Sequence, residues 1–89
     1  MNPMRNKEIA RTILETLRHA QGFAVPVASL RPQVDGLIRP PATEDEWEFA
    51  LAMLSDKSRG AITQVACDFD PTLEQWAITE RGRVLLQSL

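Results

Sequence analysis

Glycine and proline set the limits on what this chain can fold into. Gly22, Pro26, Pro32, Gly36, Pro40, Pro41, Gly60, Pro71 and Gly82 divide it into segments, of which Pro3 to Ala20 and Glu44 to Ser58 are read as the long helices. In the first, Ile9, Ala10, Ile13, Leu14 and Leu17 fall on one stripe, with Lys7, Arg11, Glu15 and Arg18 opposite. That spacing predicts an amphipathic helix with one buried side. Gly22 supplies the permissive backbone at its end, Phe23 is placed to fold back over the last turn, and Pro26 forces Val25 into an extended conformation.

The second helix is expected to be short, spanning Val27 to Arg31, because Pro32 lacks the amide that would continue it. Leu30 and Val34 give it a small apolar side. Asp35 to Ala42 then reads as an irregular connector, tacked to the core by Leu37 and Ile38. Thr43 with Glu46 three positions later has the spacing of a capping box, and acidic residues fill the first turn, where the helix dipole favours them. A third helix over 44–58 follows, lined inside by Trp47, Ala50, Leu51 and Leu54 and stopped by Gly60.

Two strands are expected after it, Ala61 to Cys67 and Leu73 to Thr79, joined by Asp68-Phe69-Asp70-Pro71-Thr72 into a hairpin. Trp76 and Ile78 share one face of the second strand, whereas Ile62 and Val65 leave the inward face of the first open. Thr79 caps a closing helix with Gly82, Leu85, Leu86 and Leu89 on one side, and Gly82 lets its backbone approach the hairpin closely. The expected architecture is α+β: three helices, a two-stranded hairpin and a C-terminal helix. At 89 residues the chain is too short for two cores, so residues 1–89 are read as a single domain.

The order of elements, with the string Trp76-Ala77-Ile78-Thr79-Glu80-Arg81-Gly82-Arg83, resembles the winged helix-turn-helix superfamily. Many members end the second wing strand in a W-x-[LI]-T-x-x-G pattern that leads into a closing helix. The resemblance extends by element order over residues 5 to 89. It implies a DNA-binding regulator of bacterial or phage type, or a protein-docking or dimerisation module. By that analogy the third helix is the recognition helix and residues 68–72 are the wing tip.

Charge argues against the first of these roles. The net charge is -2, and it is unevenly placed: Arg5, Lys7, Arg11 and Arg18 face only Glu8 and Glu15 near the start, while Glu44, Asp45, Glu46, Glu48 and Asp56 face only Lys57 in the third helix. Helix-turn-helix proteins present the first turns of the recognition helix to base edges. Here those turns carry four carboxylates, the hairpin adds Asp68, Asp70 and Glu74, and no cation lies between Gly60 and Thr79. Such a face repels a polyanion.

Phe49 and Met53, one turn apart, fall with Asp45 and Asp56 on the side away from the core stripe. These four residues are the candidate protein-interaction surface, for a partner or a second copy, since exposed large apolar groups mark interfaces. The competing assignment is that the connector or the short helix covers Phe49 and Met53. For nucleic acid the candidates are Lys7, Arg11, Arg18, Arg81 and Arg83, although Arg11 and Glu15 have i, i+4 spacing and a solvated helix face accounts for the first three. A third reading is an acidic mimic of nucleic acid.

Other classes are excluded on residue chemistry. The 44% apolar and 25% charged fractions fit a globular domain, and neither a secretory apolar run at the start nor a membrane-length segment is present. One cysteine, Cys67, and one histidine, His19, form neither a disulfide nor a zinc site, and no phosphate loop or nucleophile-base pair occurs. The carboxylates of the third helix fan around its axis and do not converge on a metal. Cys67, His19, Trp47 and Trp76 are therefore assigned structural roles. The chain is expected to be a cytoplasmic, non-enzymatic protein with no cofactor, no small-molecule substrate and no membrane association.

Overall fold

A computed structural model describes residues 3–89. The chain runs through helix α1 (Pro3–His19), strand β1 (Val25–Pro26), helices α2 (Val27–Asp35) and α3 (Glu44–Ser55), strands β2 (Ile62–Gln64) and β3 (Gln75–Ile78), and helix α4 (Glu80–Ser88). The described residues form an α+β fold of four helices and a three-stranded antiparallel sheet ordered β1-β3-β2. Among the described residues no helix is long and apolar enough to cross a membrane.

The stripe Ile9, Ala10, Ile13, Leu14 and Leu17 is buried, so α1 packs inward the face its periodicity predicts. The helix unwinds through Gln21 and Gly22, both at positive φ, the conformation that glycine tolerates best. Phe23 does not fold back. Its amide donates to the carbonyl of Ala20, but the ring is 76% exposed.

Val25 is extended, as Pro26 requires, but it also pairs with Trp76 and makes the sheet three-stranded where a two-stranded hairpin was expected. The physical reason is the open edge of β3, whose backbone groups need partners. Pro26 has no amide to offer and stands on the outer strand, where none is needed. The Val27 amide extends the ladder by donating to the carbonyl of Glu74 at 2.9 Å.

Helix α2 also runs past its expected end, through Pro32 to Asp35. Pro32 removes one intrahelical bond, yet Leu30 and Val34 are both fully buried on either side of it. Burial of Val34 holds the last turn in place. In the connector Ile38 and Ala42 are buried, whereas Leu37 is exposed, so only one of the expected anchors holds.

Helix α3 starts as predicted. Thr43 Oγ1 accepts from the Glu46 amide at 3.2 Å and Glu46 Oε1 accepts from the Thr43 amide at 3.0 Å, which satisfies two otherwise orphaned donors. It stops at Ser55, three residues before the expected end. Asp56 takes an extended ψ of 139°, and its carboxylate accepts from the Ser58 amide in a local turn that competes with the helix. Gly60, at positive φ, then turns the chain into β2.

The hairpin strands are shorter than the sequence suggests, and residues 65–74 form a long connection in place of a five-residue turn. Ile78 opposite Ile62 settles the open face: Ile62 points into the core, and Thr63 and Gln64 are exposed. Thr79 Oγ1 caps α4 by accepting from the Gly82 amide at 3.0 Å, and Thr79 also donates from its amide to the carbonyl of Ala61 at 3.0 Å. Gly82 is buried against that carbonyl, and Leu86 enters the core shared by all four helices and the sheet.

Candidate functional site

Two faces of α3 have different chemistry. Its inner face buries Trp47, Ala50, Leu51 and Leu54. Asp45, Phe49, Ala52 and Asp56 recur at helical spacing on the other side and are exposed, with Phe49 showing 39% of its surface. Met53 is half-buried and packs against the core. What flanks Phe49 and Met53 is neither the connector nor α2. They line a groove of about 400 Å³ with Pro3, Lys7 and Ala10 of α1 and with Leu85 and Leu89 at the far end of the chain.

α1 packs against both α3 and α4. Leu85 and Leu89 are only partly buried, so their outer sides extend the apolar floor that Phe49 and Met53 begin. Arg59, exposed in the turn after α3, stands at the same groove with Lys7, and neither cation forms an ion pair among the described residues. The surface is thus apolar with a basic rim.

The acidic first turn of α3 is less bare than its sequence implies. Glu44 accepts from Arg31 Nη1 at 2.5 Å, and the Arg31 guanidinium also lies 5.7 Å from the centre of the Trp47 ring. The hydrogen bond to Glu44 chiefly raises the Arg31 pKa. Glu46 accepts from Arg5 Nε at 3.2 Å, while another Arg5 nitrogen donates to the carbonyl of Pro40. The bond from the Thr43 amide, then Arg5, holds the Glu46 carboxyl below its ordinary pKa. The expectation of uncompensated carboxylates is therefore corrected: α1 and α2 each bring one arginine to them. Asp45 keeps an exposed carboxylate with no ion-pair partner among the described residues.

These arginines had no functional assignment in the sequence, and only the Arg31 to Asp35 spacing hinted at pairing. That i, i+4 pair spans 3.9 Å, whereas the tertiary bond to Glu44 is the short one. Arg59, Leu85 and Leu89 likewise join the candidate surface only through tertiary packing.

The cations considered for nucleic acid are dispersed. Lys7 and Arg11 lie on the first half of α1 beside Met4 and Glu8, and Arg11 donates to Glu15 at 3.4 Å. Arg18 is exposed in the last turn of the same helix, roughly 16 Å from Lys7 at 1.5 Å per residue. Arg83 reaches toward Gly22 and donates to Glu80 at 3.5 Å, while Arg81 lies over Gly60. They do not converge beside the first turn of α3. At the hairpin tip Asp70 accepts from the Thr72 hydroxyl and amide, which lowers its pKa, and Phe69 is 99% exposed.

Comparison with protein-family models, with curated proteins and with solved structures gave no match.

Proposed function

We propose that this chain is a non-enzymatic winged-helix module, working in the cytosol through protein contacts made by the outer face of α3. The helix order, a hairpin between α3 and α4, and the Trp76-to-Arg83 string leading into the last helix support the fold assignment. The observation that carries the functional reading is the apolar groove headed by Phe49 and Met53. Apolar surface of this kind, with a charged rim, is what a protein partner desolvates on docking.

Duplex recognition is the competing role, and three features weigh against it. The first turn of α3 holds Glu44, Asp45 and Glu46 where a recognition helix needs donors to bases and phosphates. Residues 36–43 separate α2 from α3, longer than the three- to four-residue turn typical of a helix-turn-helix. The loop 65–74 carries Asp68, Asp70 and Glu74 and no cation. An acidic nucleic-acid mimic is less favoured still, since Glu44 and Glu46 are neutralised by arginines of the same chain.

A tagged wild-type chain and a Phe49→Ser/Met53→Ser variant test the reading. Partner capture and light-scattering mass should show an association that the variant loses while its circular dichroism is retained. Equal association by both proteins contradicts the proposal. Saturable binding of mixed duplexes in fluorescence anisotropy, weakening steeply as salt rises, would favour the duplex role instead.

A further inference from the structure

We infer, resting on the protein-contact reading of α3, that the groove beside Phe49 and Met53 takes the Asp68-Phe69-Asp70 tip of a second copy of this chain. The groove has an apolar floor, and among the described residues its charged lining is Lys7 and Arg59, with no carboxylate. Asp45 and Asp56 stand on the outer side of α3 and do not line it. Its fitting occupant is therefore an apolar side chain flanked by acids. The exposed large apolar residues described in this chain are Met4, Phe23, Leu37, Phe49, Phe69 and Val84, and Phe69 alone of them has a carboxylate on both sides.

Phe69 is 99% exposed, so its ring lies outside its own chain's groove and is available to another's. The tip is already shaped for docking. Asp70 Oδ1 accepts from the Thr72 amide at 3.0 Å and from the Thr72 hydroxyl at 2.6 Å, and the Leu73 amide donates to the Asp70 carbonyl at 3.1 Å. A loop held by its own bonds loses less freedom when it binds. Asp68 forms no ion pair among the described residues, and residues 61–79 contain no lysine or arginine to neutralise it. At about 400 Å³ the groove has room for a phenyl ring. One ring buries about 150–250 Å², well short of the roughly 1,200–2,000 Å² of a stable interface, so the contact is weak and forms at high chain concentration. It joins two unlike surfaces, head to tail.

Sedimentation equilibrium of the full chain tests the inference. The wild-type mass should rise with concentration, past that of a dimer unless the contacts close into a ring. Phe69→Ser should weaken self-association at least roughly tenfold with circular dichroism unchanged, and so should Phe49→Ser/Met53→Ser. Mixed in equal amounts, these two variants should pair one to one and grow no further, because one keeps the groove and the other keeps the tip. Lys7→Glu, an exposed change on α1, should weaken association roughly two- to fivefold, and it remains informative if the groove variant unfolds. A wild-type chain that stays monomeric at its highest soluble concentration overturns the inference, as does Phe69→Ser associating like wild type or a mixture that stays monomeric. If Phe69→Ser associates like wild type and Phe49→Ser/Met53→Ser does not, the protein-contact reading of α3 stands and the occupant is wrong; if neither variant weakens association, both fall. With a monomeric wild type, partner capture lost by Phe49→Ser/Met53→Ser would likewise leave that reading standing.

Discussion

Replacing Gly82 by alanine should be among the most damaging conservative changes in this protein. A Cβ at that position would lie 2.1 Å from the carbonyl oxygen of Ala61 and 2.7 Å from Ile78 Cγ1. The first neighbour is backbone, fixed by the Thr79 amide that donates to the same oxygen at 3.0 Å, so the contact cannot be relieved by a rotamer change. Relief requires α4 to move outward by roughly 1.5 Å, the shortfall from ordinary van der Waals separation. That shift lengthens the Thr79 bond and loosens the packing of Leu86. Overpacking of this kind costs about 1–3 kcal/mol, and the weakened hydrogen bond adds about 1 kcal/mol. The gain in helix propensity from glycine to alanine offsets about 1 kcal/mol of it. The net loss is about 1–3 kcal/mol, equivalent in a domain of this size to a fall of roughly 5–20 °C in Tm. Thermal and urea melts followed by circular dichroism and tryptophan fluorescence measure it. Gly36→Ala is the control: that glycine has φ -71°, and its nearest atom would be 3.4 Å away, so the change should be neutral or slightly stabilising. If Gly82→Ala melts with or above Gly36→Ala, the close approach of α4 to the hairpin is wrong.

Truncation should separate the two faces of α3: Leu54→Ala, at a fully buried position, is expected to cost about 2–5 kcal/mol in urea denaturation, while Phe49→Ser, at a partly exposed position, should cost about 1–2 kcal/mol. Arg31→Ala should lose about 1 kcal/mol, combining a half-exposed ion pair with its contact to Trp47. Arg31→Lys should recover little of that in the same melts, because lysine lacks the planar fork. The depressed Glu46 pKa predicts a contribution to stability that is fully present above the ordinary glutamate value of about 4.3 and is lost as pH falls through the lower folded value. Glu46→Gln should therefore be less stable than wild type near neutrality and converge with it in acid, and parallel pH profiles would contradict the assignment.

The elements that were legible in the sequence share one property, local determination. The stripe from Ile9 to Leu17 and the Thr43–Glu46 capping box are set by spacing within one or two turns, and both appear as expected. Gly82 was legible because a glycine inside an amphipathic helix calls for a close neighbour, and the Ala61 carbonyl is that neighbour. What was missed depends on residues far apart in the chain. β1 is two residues long, one of them proline, and exists only because β3 offers it an edge. α2 continues past Pro32 because Val34 is buried by other elements. The exposed position of Phe49 could be read from helical periodicity, but the groove beside it needed α1 and α4 to meet α3. The arginines that temper its acidic start come from 13 and 41 residues away.

The most direct test of a protein-contacting α3 face is the amide NMR spectrum of the labelled full chain, compared between high concentration and high dilution. Shifts centred on Phe49 and Met53 and on the groove residues Lys7, Leu85 and Leu89, and absent from the Phe49→Ser/Met53→Ser variant, are the predicted result. Shifts that cluster on the 65–74 loop or on α2, with α3 unchanged, would contradict it.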